Sequence, residues 1–259
     1  MIVDIHNHTI LCNHATGSVE DFVQTAIKEK IDVFGFADHA PMNFDEKYRM
    51  KFDDMQNYEN EIRNIKEKYR DKIEILLGYE VDFLNGYIDQ RVLKADVDYL
   101  IGSVHFLDKW GFDNPEFIGD YKNKDMDKVW QDYFDTVAKM AKSNLFQIIG
   151  HIDLIKVFNF MPKKEIKLIA LNAIKEIKKA KMVVEVNSSG LRKPIHEIYP
   201  SKDIMELLKE FDIPITFSSD AHKVEDINYK KDEVSDYAKS FGYKKCAVFR
   251  NKEIKMVNF

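Results

Sequence analysis

Only two of the 259 residues are cysteine, Cys12 and Cys246. That is too few for a disulfide framework and points to a reducing cytoplasm. Proline and glycine are also scarce, at six and ten. This excludes collagen-like and low-complexity chains and leaves no linker to divide the sequence, so one domain over residues 1–259 is expected. No apolar run approaches the roughly 18 residues that span a bilayer. The start, MIVDIHNH, has neither a basic leader nor a signal-peptide core, so a cytoplasmic protein without a membrane partner is expected. An excess of basic charge is missing too, with 39 Lys and Arg against 44 Asp and Glu. That argues against nucleic-acid binding while leaving room for a local phosphate site. The sequence carries no signal of oligomeric state.

What is present is a 45% apolar fraction, enough for a sizeable core, arranged as short apolar runs alternating with helical patterns. The runs are Ile2–Ile5, Val33–Ala37, Ile73–Tyr79, Tyr99–Val104, Gln147–Gly150, Met182–Val186 and Ile213–Ser218. Most lack polar alternation, as strands covered on both faces do. Between them, stripes such as Val19, Phe22, Val23, Ala26 and Ile27 recur at helical spacing, with Ser18 and Asp21 placed to cap. Further helices are expected around Met55–Tyr69 and Trp130–Ala141, over the stripe from Ile166 to Ile177 that begins just after Pro162, after Ser201 as a cap, and up to Gly242. Cys246–Val257 reads as a short C-terminal hairpin turning at Asn251–Lys252. Seven strands alternating with helices predict an α/β fold, a distorted (β/α)7 barrel of TIM-like kind. An open doubly wound sheet has the same periodicity, but no GxGxxG supports a dinucleotide fold.

The histidines are the most informative residues. His6 and His8 close the first strand and His14 follows in the next loop; His39, His105, His151 and His222 each close a later one. Glu80 and Asp220 sit in the same register. In a parallel barrel all strand ends meet at one face, so these groups share a pocket. A lone histidine at a strand end is more often an ordinary hydrogen-bonded residue. Seven in equivalent positions with two acids would leave polar groups unsatisfied and carboxylates in mutual repulsion unless cations join them. Imidazole and carboxylate without thiolate suit Zn²⁺, Mn²⁺ or Fe²⁺.

The motifs HNHTILCNHATG, ADHAP, GYEVDF, GSVHF, GHIDL, EVNSSG and SSDAH, in this order, resemble the PHP (polymerase and histidinol phosphatase) family of metal-dependent phosphoesterases. The resemblance implies a distorted (β/α)7 barrel and two to three divalent ions. His6, His8, Glu80 and Asp220 would hold the first; Glu80, His105 and His151 the second; His14, His39 and His222 the third. HTILCNHATG, VHFLDKWGFDNPEF and NSSGLRKPIHEIYPS are most similar to the monofunctional histidinol-phosphatases. That implies a phosphomonoester hydrolase taking L-histidinol phosphate to L-histidinol and phosphate in histidine biosynthesis, through a hydroxide held between metals. The partner is then a small phosphorylated substrate. A phosphoesterase of the same kind acting on nucleotides or oligonucleotide ends is the alternative.

Two acids are candidates for the catalytic machinery. Asp153, two residues past His151, is placed to protonate the leaving group or to orient His151, and Asp38 to orient the site. Arg192 is a candidate phosphate grip, its bland reading being a structural ion pair. Lys156 is a further candidate phosphate contact, its commoner reading being a solvated surface residue. Glu185, Asn187 and Ser188 are candidates for supporting roles, and Trp110, Phe106 and Phe112 for lining the imidazole end of the substrate. Cys12 reads as a small buried side chain rather than a ligand.

Overall fold

The computed structural model describes residues 1–259. Its first strand, β1 (Val3–Asp4), leads through a loop into helix α1 (Val19–Lys28), then β2 (Val33–His39), α2 (Met55–Tyr69) and β3 (Glu74–Asp82). The one-turn helix α3 (Gln90–Leu93) and β4 (Tyr99–Ser103) follow, then a small hairpin of β5 (Phe106–Leu107) and β6 (Trp110–Gly111). Next come α4 (Met126–Ser143), β7 (Ile148–Ile149), α5 (Ile166–Ala180), β8 (Val183–Asn187), α6 (Lys202–Glu210) and β9 (Ile215–Ser218). The chain closes with α7 (Lys231–Ser240) and the hairpin β10 (Lys245–Arg250) and β11 (Glu253–Asn258).

Strands β1, β2, β3, β4, β7, β8 and β9 form one sheet in that order, every pair parallel. The sheet curls until its edges meet: Ile5 N–H donates to Phe217 O at 3.2 Å, and Asn7 bridges to Ala221. The result is a nearly closed seven-stranded barrel with helices outside, as the sequence pattern predicts. Strands β2 and β3 are buried almost throughout because barrel interior and helices cover both faces. Tyr99 fills the interior below the strand ends, its hydroxyl donating to Ile5 O at 2.6 Å. Gly35 makes room for it, since a Cβ there would lie 2.2 Å from the Tyr99 hydroxyl. No helix is long and apolar enough to cross a membrane.

The capping box of Ser18 and Asp21 forms, with Asp21 N–H donating to Ser18 Oγ at 3.1 Å. Asn251 and Lys252 form the terminal turn with φ of 50° and 65°, the left-handed pair that a two-residue hairpin requires. Helix α5 starts at Ile166, the first residue of its apolar stripe, and the amides of Lys163 and Lys164 before it are held by Asp127 Oδ1. Two expectations need correction. Ser201 does precede α6, yet its hydroxyl makes no cap; its backbone N–H instead donates to Asp153 Oδ2 at 2.7 Å. Strand β7 is only two residues long, so the chain has left the sheet before His151.

Candidate metal centre

Barrel register builds the site. Pairing of β2 with β3 places His39 opposite Glu80, and the two-residue period of β3 brings Asp82 to the same side as Glu80. His6, His8, His14, His39, His105, His151 and His222 gather here, each ring centroid 3.9–5.0 Å from another of the set. Glu80 is the hub. Its Oε1 lies 2.9 Å from His151 Nε2 and 3.6 Å from His105 Nε2. Its Oε2 lies 2.9 Å from His39 Nδ1, 3.4 Å from His6 Nε2 and 3.8 Å from His8 Nε2. Asp220 Oδ1 is 3.1 Å from His8 Nε2.

Four sets of atoms are spaced to hold a cation, and the three that use only imidazole and carboxylate are His6, His8 and Glu80; Glu80, His105 and His151; and His14, His39 and His222. Three imidazoles are anchored from behind by carboxylates. His6 Nδ1–H donates to Glu185 Oε1 at 2.7 Å, His8 Nδ1–H to Asp38 Oδ1 at 3.2 Å and His105 Nδ1–H to Asp82 Oδ1 at 2.8 Å. An ionised carboxylate only accepts, so Nδ1 carries a proton, which leaves Nε2 facing the centre as the nitrogen that would ligate a cation. His14 and His222 are anchored likewise, to Cys12 O and Asp220 O. His151 and Asp220 take positive φ, 20° and 53°, where the chain leaves β7 and β9.

Proton affinities follow from this packing. Burial lowers that of His39, with help from His8, to a pKa of about 4. Burial likewise pushes His222 well down. For His6, burial opposes the proton, yet Glu185, Glu80 and Asp220 together raise its pKa well above the usual value. Burial would raise Glu80, but His39, His6 and His105 hold its carboxyl well below the normal range.

The residues fit divalent ions. His6 Nε2 and His222 Nε2 are buried without a hydrogen-bond partner, which is costly for a polar atom unless a cation uses the lone pair. Five carboxylates (Asp38, Glu80, Asp82, Glu185 and Asp220) touch the imidazoles, and of these only Asp82 is paired with a guanidinium, that of Arg49. With neutral imidazoles that is a formal charge of about −4, which two or three divalent ions offset.

Residues 4–189 match the family model of the PHP domain. The chain belongs to the PHP domain family. A relative from Deinococcus radiodurans named "Probable histidinol-phosphatase" is 34% identical across 88% of this chain and 89% of its own. The solved structure of a candidate histidinol phosphatase from Listeria monocytogenes superposes with a TM-score of 0.80 at 26% identity, covering 89% of this chain and 99% of that one. The histidinol phosphate phosphatase of Lactococcus lactis, solved with zinc, L-histidinol and phosphate, shares the fold. It has a TM-score of 0.78 at 20% identity, covering 98% of both chains.

Around this PHP centre several residues stand differently from expectation. Asp153 does not continue a strand face past His151, because β7 has already ended. It is fully buried, its Oδ2 accepting from Ser201 N–H and lying 3.2 Å from Lys156 Nζ. Nor does it orient His151, whose Nδ1 has no partner. Lys156 is neither solvated nor free: fully buried, its ammonium meets Asp153 Oδ2, Glu197 Oε2 and Ile198 O, which use its three donors. Arg192 Nη2 donates to Ser219 O at 2.8 Å and Asp220 O at 3.1 Å, while Nη1 is buried without a partner. Asp38 touches His8, Thr9 and the His39 amide, so it positions ligating groups rather than reacting atoms. Asn187 Nδ2 donates to Glu185 and Asp220, whereas Ser188 Oγ contacts neither. Phe112 is fully buried against Tyr133, and Phe106 packs with Met42 and Leu84. Trp110 packs on Tyr121. Cys12 donates its thiol to Thr9 O. Its sulfur lies within reach of His8 and His222, but burial raises its pKa and favours the thiol over a thiolate ligand.

Sequence reasoning missed Asp82 and Arg49. Asp82 was within reach, as the residue two beyond Glu80 on a strand. Arg49, in the loop after β2, had no local signal. Its Nη1 donates to Asp82 Oδ2 at 2.6 Å, and its backbone O accepts from Asn13 Nδ2 at 3.0 Å. Arg49→Ala leaves the Asp82 charge buried without its cation, a loss of about 3–5 kcal/mol. The expected result is a lower melting temperature and metal affinity reduced about 10–100-fold, measured by calorimetry and metal titration. Unchanged affinity would remove Arg49 from the support of His105.

Proposed function

We propose that this PHP domain protein hydrolyses L-histidinol phosphate to L-histidinol and phosphate, with its 259 residues acting as one domain in the cytoplasm. The 34%-identical relative's name supports the substrate, and the convergence of five imidazoles on the Glu80 carboxylate carries the chemistry. The C-terminal hairpin is tied to the barrel through Thr216 Oγ, which donates to Ala247 O at 2.8 Å, in keeping with one unit.

Two to three ions of zinc, manganese or iron would be held by the three sets of atoms described, with Glu80 shared between two of them and Asp220 beside His8. Such ions acidify water towards a pKa of about 7 and offset charge on a phosphoryl group. The chain's own contributions are orientation and electrostatics. Glu185, Asp38 and Asp82 fix the tautomers of His6, His8 and His105, so that their lone pairs stay aimed inward. Arg192 braces the backbone at Ser219 and Asp220 and retains Nη1 as a donor for a phosphoryl oxygen. The engaged donors of Lys156 give it no such contact, while Asp153 anchors Ser201 through Oδ2 and keeps a buried Oδ1 without a partner.

Phosphate release from histidinol phosphate, compared with nucleoside monophosphates and short oligonucleotides, tests the substrate. Preference for histidinol phosphate by about 10²-fold or more in kcat/KM is expected, since buried polar groups unpaired by the wrong substrate are costly. Equal rates on all three would favour the general phosphoesterase reading instead.

A further inference from the structure

Away from the metal centre, a cavity of about 290 Å³ lies between α7 and the seam where β1 meets β9. The seam is the barrel's weakest join, because β1 is two residues long and forms no continuous ladder with β9. α7 spans the gap without filling it. Three polar groups that line this cavity have no partner: Ser188 Oγ, Ser218 Oγ and Asn228 Nδ2. The two serines are 2% and 5% exposed, so bulk water does not satisfy them.

What these groups lack is an acceptor. Asn228 Nδ2 only donates, and the hydroxyls can donate. Lys231 and Lys239 also line the cavity, and no carboxylate pairs with Lys231. Among the acids of the wall Asp4 is the most heavily engaged. Asp4 accepts from Ser219 N–H, Ser219 Oγ, Asn228 N–H and Asn7 Nδ2, and Asp32 accepts from Ile2 N–H. Asp232 belongs to the first turn of α7, where a carboxylate offsets the helix's own positive end. The apolar part of the lining is Phe217, Phe259, Val3 and Val234. The volume is at the small end of the range for ligand pockets.

We propose that this cavity binds a small organic carboxylate with an apolar body, its anion received by Asn228, Lys231 and the two serine hydroxyls. The site is distinct from the metal centre, although Ser218 and Ser219 directly precede Asp220. Binding alone is tested, so failure here would leave the hydrolase reading intact.

Hydrocinnamate is the probe, titrated calorimetrically into the metal-loaded protein beside its uncharged analogue hydrocinnamyl alcohol. A Kd below about 1 mM is expected for the acid, with the alcohol at least about tenfold weaker. Ser235→Trp, on the α7 wall, is expected to abolish binding with metal content and kcat unchanged. Asn228→Leu and Lys231→Met should each weaken it about tenfold, a second route if the Trp variant folds poorly. No measurable binding, equal binding of acid and alcohol, or binding that survives Ser235→Trp but is displaced by inorganic phosphate would each overturn the proposal.

Discussion

Glu80→Ala is expected to lower kcat/KM for histidinol phosphate by about 10³-fold or more and to release at least one metal ion per chain. The carboxylate is 1% exposed and contributes to two of the three ligand sets. Removing it strips an anion from both sets at once and leaves five imidazoles facing one another. Glu80→Gln keeps the volume and removes the charge, so it separates bridging from packing. Both variants should retain the fold, because the contacts of Glu80 are to the site rather than to the apolar core. Steady-state kinetics and elemental analysis of each variant provide the check. Full activity with a full metal complement in Glu80→Ala would end its role as the shared ligand.

Metal removal should have the second largest effect. Dialysis against a strong chelator is expected to suppress phosphate release by about 10³-fold or more and to lower the melting temperature by about 5 °C or more. A ligand held at 100 times its Kd contributes about 2.7 kcal/mol, and in a chain of this size each kcal/mol moves the midpoint by about 2–4 °C. Returning zinc, manganese or iron should restore both properties. Activity that withstands chelation while the metal content falls to zero would contradict a metal-dependent reaction.

The barrel was legible because each strand is a short apolar run and each helix a clear stripe. The candidate ligands were legible because a parallel barrel converts "last residue of a strand" into "same pocket". His6 and His8 on one face, and Glu80 opposite His39, follow from period and register alone. The surroundings of the site were not legible, and the reasons are physical. Lys156 looks like a surface lysine until Glu197 and Ile198, some forty residues away, bring acceptors to it. Asp153 was misplaced because β7 ends early and His151 turns the chain with positive φ, a backbone feature with no glycine or proline to announce it. The chain of Arg49, Asp82 and His105 joins two loops and a strand, and no periodicity reports a contact of that kind. The unpartnered groups at the β1–β9 seam depend on how far the barrel fails to close, which spacing does not encode.

Crystals of the protein grown with its native metal, with anomalous diffraction recorded across that metal's absorption edge, test the central claim most directly. Two or three peaks are expected at the strand ends, one among His6, His8 and Glu80, one among Glu80, His105 and His151, and the third among His14, His39 and His222. An active crystal with no anomalous peak within bonding distance of Glu80 would contradict the metal centre and the hydrolysis assigned to it.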